Sequence, residues 1–275
     1  MSGHLLRLHT QPALSIDLHT LHPERLRGLN ATEVSHLPLR HGRDAATVGD
    51  FCHVSTATDM SDTLTLDGDF SRFHRIGQGL TDGRIVVTGS VGDLAGAGMR
   101  GGQLVIEGHA RDLTGCEMAG GRLEVHGNVR DHAAGAQVGS LDGMRGGTFI
   151  VRGHAGARLA DRMRRGTLVV CGDTGDHLAS RMVAGTVLVG GSTGAHPAWG
   201  MRRGSLVFAG PAPDLGPTFA PNPADVRVAW QLLARHLAPL AAGLVPQAVD
   251  LPRHAPARRT GDLSVSGIGD VFVLG

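Results

Sequence analysis

Residues 83–89 read GRIVVTG, and the same phrase returns as GQLVIEG at 102–108, GRLEVHG at 121–127, GTFIVRG at 147–153, GTLVVCG at 166–172, GTVLVGG at 185–191 and GSLVFAG at 204–210. The steps between copies are 19, 19, 26, 19, 19 and 19 residues. The long step is one repeat plus seven residues, and the extra residues fall within Ala133 to Asp142. A weaker copy, with Leu64, Leu66 and Gly68, precedes the series. Self-similarity at a fixed period marks a repeat architecture. Each copy holds two apolar positions two residues apart, from Ile85/Val87 through Leu168/Val170 to Leu206/Phe208. Period two is the signature of a strand with one buried face. A third apolar column is made of Met99, Met118, Met144, Met163, Met182 and Met201. Unbranched methionine suits an irregular corner of a narrow core.

A 19-residue unit that contains a strand of about five residues has no room for a crossover helix. A hairpin meander would alternate strand directions, whereas every copy here runs in the same order. The remaining solution is an all-β parallel coil in which each turn stacks on the last at about 4.8 Å. The spacing predicts a parallel β-helix of about seven to eight turns over residues 61–210, roughly 35 Å long. Residues 1–60 read as an N-terminal cap, with a short helical stretch at Pro23 to Gly28. Residues 211–275 read as a Pro-rich linker, a helix and two C-terminal strands. Asn222 is expected to cap that helix with Pro223 at its first position. Val226, Trp230, Leu233 and Leu237 form its apolar face, and Pro239 is expected to bend or end it. Leu263/Val265 and Val271/Val273 read as the strands.

Composition narrows the function. Glycine contributes 42 of 275 residues, about twice the usual share, and 32 of them lie between Gly68 and Gly210. The 26 cations, all Arg, balance 25 acids, so no general electrostatic attraction to nucleic acid or to an anionic membrane is expected. Aromatics are 3% and Tyr is absent, which argues against base-stacking platforms. Cys52, Cys116 and Cys171 are far apart and form no CxxC, a pattern that fits a reducing, cytoplasmic setting. No signal peptide is evident, and the apolar run Leu237 to Val245 is too short to span a bilayer.

The tempting motifs reduce to parts of the coil. Gly96, Gly98 and Gly101 spell GxGxxG, but the run leads into a strand, not a helix, and position 121, where the acid would stand, is Gly. They read as turn glycines. His177 and His196 share a repeat position, yet no HxH or HExxH pattern accompanies them, so no metal site is expected. Asp93, Asp112, Asp131 and Asp176 recur at one position and read as turn-capping acids. Cys171 has no neighbour that would lower its pKa, and no nucleophile elbow exists, so no catalytic residue is assigned.

The runs GDLAGAGMRGGQLVIEG (92–108) and GDHLASRMVAGTVLVGG (175–191) resemble the GXGXG-type right-handed β-helix domain. That domain closes the large subunit of glutamate synthase and forms the C subunit of formylmethanofuran dehydrogenase. ATVGDFCHVS (46–55) adds the segment that leads into the helix in the C subunit. The resemblance is closest to the C subunit of the bacterial formyltransferase/hydrolase complex of methylotrophs. It implies a non-catalytic scaffold among A, B and D subunits. The zinc amidohydrolase-like A subunit and the formyltransferase D subunit then carry the chemistry, with tetrahydromethanopterin and a methanofuran analogue as the cofactors of the complex. No motif separates this reading from the C subunit of a tungsten or molybdenum formylmethanofuran dehydrogenase. A glutamate-synthase-like accessory subunit and a free-standing polysaccharide-active β-helix are the other classes, and the scarcity of aromatics counts against the last.

One surface stands out. Arg100, Arg145, Arg164 and Arg202 share a repeat position just after the methionine column, and Arg165 and Arg203 share the next. Such an arginine ladder is either a solvated edge or a recognition strip for carboxylates, which arginine binds in bidentate fashion. The carboxylates would belong to an acidic partner surface or, as the resemblance implies, to the glutamate-rich tail of a methanofuran-type cofactor.

Overall fold

The structure, a computed structural model, describes residues 3–57 and 62–274. The expected boundary between residues 60 and 61 lies outside the described residues. The N-terminal part runs β1 (Gly3–Leu8), β2 (Ile16–Asp17), α1 (Pro23–Leu26), α2 (Ala31–Ser35), β3 (Pro38–His41), β4 (Asp44–Thr47) and β5 (Cys52–Ala57). The repeats supply β6 (Thr63–Asp67), β7 (Phe73–His74), β8 (Arg84–Val87), β9 (Arg100–Ile106), β10 (Ala119–Val125), β11 (Arg145–Val151), β12 (Arg165–Val170), β13 (Thr186–Val189) and β14 (Ser205–Phe208). The C-terminal part adds β15 (Ala220–Pro221), α3 (Arg227–Ala241), β16 (Ala257–Gly261) and β17 (Gly269–Val273).

Thirteen of these strands form one sheet in the order β15-β16-β17-β14-β13-β12-β11-β10-β9-β8-β6-β1-β5. From β1 to β17 all neighbours are parallel; β5 at one end and β16 and β15 at the other are antiparallel. Ile85 stands opposite Leu104, Leu104 opposite Leu123, Leu123 opposite Phe149, and Phe149 opposite Leu168. The seven-residue insertion is therefore absorbed between β10 and β11 without shifting a side chain to the wrong face. A second line of parallel bridges runs Phe70, Val91, Ala110, Val129, Ala155, Thr174, Thr193. The molecule is mostly β, with a large, mostly parallel sheet and few helices, consistent with the expected β-helix.

The expected inner columns are buried. Val87, Ile106, Val125, Val151 and Val170 have no solvent exposure, and neither do the six column methionines. At the start of β11, β12, β13 and β14 the methionine of the preceding turn, together with the facing backbone, explains the glycine. An added Cβ at Gly166 would lie 2.8 Å from Met144 Cε, and one at Gly185 would lie 2.9 Å from Met163 Cε. The thioether of one turn thus fills the hollow that the next glycine leaves.

The strands are apolar outward as well near the C-terminal end. Ile150, Val169, Leu188, Val207 and Phe272 form a second core with Trp230, Ala234, Leu237 and Ala241 of α3. The Trp230 and Phe272 ring centroids are 5.1 Å apart, and Trp230 Nε1 donates to the His254 carbonyl at 2.8 Å. The helix folds back onto the sheet.

Three details correct the expectation. The helix begins at Arg227, not Pro223, because Asn222 Oδ1 accepts from the Ala224 amide at 3.0 Å and builds a local turn instead. It continues through Pro239 to Ala241. Leu263–Val265 is a short 3-10 turn started by Asp262, and the second C-terminal strand is β16, ahead of it.

Candidate arginine groove

Each turn places its methionine inward and the next one or two residues outward, at the mouth of the strand. On four successive turns those outward residues are Arg145, Arg164–Arg165, Val183–Ala184 and Arg202–Arg203. Together they line one open cleft of about 560 Å³. The turn that carries Val183 and Ala184 is the floor, and the flanking arginines are the walls. With turns about 4.8 Å apart, the two walls stand about 10 Å from one another.

The five arginines are all exposed. Arg164 pairs with Asp142 of the insertion, and Arg145 donates weakly to the Glu117 carbonyl at 3.5 Å. Among the described residues, Arg165, Arg202 and Arg203 have no carboxylate partner. The pairing of β11 with β12 differs from the repeat alignment. A bulge between Arg145 and Thr148 sets Arg145 opposite Arg165, not Arg164. Arg100 is separated from Arg145 by the turn that carries Ala119, and it lies outside the cleft. Three or more exposed guanidinium groups converging on a small-residue floor can hold carboxylate or phosphate oxygens through charge-assisted hydrogen bonds.

The other candidates fall where the repeat puts them. Gly96 and Gly98 sit in a turn that leads to β9, and no helix follows. His177 and His196 stack with centroids 5.4 Å apart. Among the described residues no group of three His, Cys, Asp or Glu is placed to hold a metal ion. Asp112 Oδ1 accepts from the Asp131 amide at 3.1 Å, Asp131 Oδ1 from Ala157 at 2.8 Å, and Asp176 Oδ1 from Ala195 at 2.7 Å. These acids tie each turn to the next. Burial pushes the Cys171 thiol up to about 11, with Arg152 opposing the rise and Glu124 adding to it.

Sequence reading missed a second tie of the same kind. Ser90, His109, Asn128, His154 and Asp173 share one repeat position, and each accepts a backbone N–H from the following turn at 2.8–3.0 Å. It also missed Asp142 as the partner of Arg164. Both were findable by writing the repeats in register and asking which column holds only short acceptors.

Fold and groove define a class, a stacked parallel-strand repeat protein that presents a cationic surface cleft. The chain belongs to the GXGXG motif family, whose model matches residues 74–215, just over half of its length. It is 38% identical over 87 residues to the C subunit of the formyltransferase/hydrolase complex Fhc of Methylorubrum extorquens, covering 32% of each. It is 31% identical over 102 residues to the C subunit of the tungsten-containing formylmethanofuran dehydrogenase 2 of Methanothermobacter thermautotrophicus, covering 35% of this chain and 37% of the relative. The matches thus span about a third of these curated relatives. A chain of the crystal structure of the formyltransferase/hydrolase complex (FhcABCD) from Methylorubrum extorquens in complex with methylofuran superposes with a TM-score of 0.85. That match is 36% identical and covers 98% of this chain and 99% of the other. No helix among the described residues is long and apolar enough to cross a membrane.

Proposed function

We propose that this chain is the C-type scaffold subunit of a formyltransferase/hydrolase complex that works on a methanofuran analogue, and that it supplies no catalytic group. One observation carries the reading: the likeness to a chain of the methylofuran-bound complex runs over 98% of this chain. It therefore takes in the two flanks as well as the repeats. In this reading residues 61–210 are a right-handed β-helix of seven to eight 19-residue turns, with 1–60 and 211–275 as its end caps. The A, B and D subunits are the partners. Zinc in the A subunit and the transferase site in the D subunit perform the chemistry, and tetrahydromethanopterin brings the formyl group. The three free cysteines go with a cytoplasmic location.

The groove fits a part of the cofactor that does not react. Arg165, Arg202 and Arg203 would hold carboxylates of a glutamate-rich tail, and Val183 and Ala184 leave room for its chain. Arg145 and Arg164 would extend the strip, and Arg100 would not take part. The methanofuran analogue carries the formyl group in this reading, and this chain's residues only bind and orient.

The test is purification from native cells. The A, B and D subunits should travel with the chain, and the chain alone should turn over neither formyl transfer nor hydrolysis. Arg164→Ala with Arg165→Ala and Arg203→Ala should raise the KM of the complex for the cofactor, with the gap to wild type widest at low salt. Unchanged kinetics across salt concentrations would reduce the ladder to a solvated edge. The formylmethanofuran dehydrogenase relatives at 31% identity favour a second reading as the C subunit of that enzyme. Co-purification of a tungsten or molybdenum pterin subunit would establish it.

A further inference from the structure

Nine large apolar side chains stand exposed among the described residues, and six of them gather at one corner: Val138, Leu141, Trp199, Leu263, Val265 and Ile268. Val138 is fully exposed, Leu141 is 72% exposed and Trp199 is 55% exposed. They are one patch. Leu141 borders both the hollow beside Val138 and the hollow beside Trp199 and Val265. The turn at 262–268 is tied to the Trp199 turn, because Gly200 N donates to Asp262 Oδ2 at 2.9 Å and Ile268 N donates to the Arg202 carbonyl at 2.8 Å.

Two of the six residues come from the insertion that breaks the 19-residue period. A solvent loop of that length is ordinarily polar, and this one is held firmly with its aliphatic residues outward. Arg162 Nη1 donates to the Ser140 carbonyl at 2.9 Å, the Gly143 amide donates to the Arg162 carbonyl at 2.9 Å, and Asp142 pairs with Arg164. A preorganised apolar patch of this kind marks a protein contact.

Charge identifies the other side of the contact. The hollow around Leu141 and Trp199 also holds Arg162, Arg164, Arg181 and Arg202. Asp161 pairs with Arg181 and lies near Arg162, and Asp142 pairs with Arg164, so three arginines face two acids and the rim is net positive even without Arg202, which also lines the groove. A second copy meeting this face about a two-fold axis would bring the same arginines together, which like-charge repulsion disfavours. We propose that this corner docks a partner subunit whose contact surface is apolar and rimmed by Asp and Glu. The inference rests on the reading of the chain as a complex member.

The experiment is assembly of the native complex with Leu141→Asp and Trp199→Asp together. The new acids remove the apolar contact and repel an acidic rim. The amount of chain retained with its partners on size-exclusion should fall by at least about tenfold, with the chain's own melting temperature unchanged. Hydrogen exchange of wild type gives a second readout. Amides of 137–142 and 262–268 should be protected in the complex relative to the chain alone. Retention at the wild-type level, or unchanged exchange at both segments, overturns the docking site and leaves complex membership intact. A wild-type homodimer that the same changes dissociate overturns the choice of occupant. If wild type itself is found without other subunits, the functional reading fails and this inference fails with it.

Discussion

Raising the pH should destabilise this protein through its buried thiols, and its composition makes the effect readable. Burial pushes Cys52 and Cys116 up from an ordinary value of 9.0 to about 12, with the Glu117 charge adding to the rise at Cys116. Cys52 is 5% exposed and Cys116 is fully buried. A thiol whose folded value lies above its unfolded value favours the native state below pH 9.0, and that contribution is lost as pH rises toward 12. The unfolded chain releases its thiol protons first. A tenfold difference in proton affinity between the two states is worth about 1.4 kcal/mol, so each thiol should remove about 2 kcal/mol between pH ~9 and ~11. Together they remove about 4 kcal/mol of a total stability on the order of 5–15 kcal/mol. In most proteins Lys and Tyr titrate over the same range and obscure such a slope. This chain has neither, arginine stays charged, and the α-amino group titrates near 8. The assay is the urea midpoint, followed by circular dichroism under reductant from pH 8 to 11. Wild type should weaken steadily, and Cys52→Ala with Cys116→Ala should lose only about 2 kcal/mol over that range, the part left to Cys171, whose thiol burial pushes up to about 11. A flat wild-type profile, or the same decline in the double variant, would refute the reasoning.

Three other outcomes follow from the packing. Gly166→Ala should cost about 2–4 kcal/mol, because its φ of +97° disfavours a side chain and its Cβ would press on the Gly147 carbonyl at 2.9 Å as well as on Met144. Gly98→Ala, with φ of +62° and nothing within 4 Å, should cost about 1 kcal/mol, and equal losses in urea titrations would remove the close contacts at Gly166 from the explanation. His154→Asn should be neutral, since Asn128 already accepts the equivalent N–H, while His154→Leu should lose about 1 kcal/mol by the same measurement. Val170→Asp places an unpaired charge in the inner column and should cost at least about 4 kcal/mol; a soluble variant with a wild-type melting curve would contradict its inward position.

How legible each part was depended on what repetition preserves. The inner columns and the methionine corner keep one kind of side chain at one position, so period two and the 19-residue step expose them directly. The tie made by Ser90, His109, Asn128, His154 and Asp173 keeps a geometry but not a residue type, so reading for identical residues passes over it. Asn222–Pro223 has the composition of a helix start, but its side chain closes a shorter turn, and Asp225 takes the amide of Arg227 at 2.9 Å. β16 reads ARRTG and has no alternation to reveal it; its place is set by the edge that β17 presents. The arginines were visible as a ladder, but their exact partners were not, because the bulge before Thr148 changes which one faces which.

The stacking distance also explains why the groove lies where it does. Guanidinium groups on adjacent turns, about 5 Å apart, would repel by about 0.8 kcal/mol even in water, and several-fold more at the effective dielectric near a protein surface. Two turns apart, the repulsion in water halves to about 0.4 kcal/mol. Val183 and Ala184 interrupt the ladder at the turn between Arg164–Arg165 and Arg202–Arg203. The interruption lowers the self-repulsion of the walls and opens the floor in one step. A continuous ladder would repel itself more and leave no space between its rungs. The omitted pair of arginines therefore turns a strip of like charge into an open cleft.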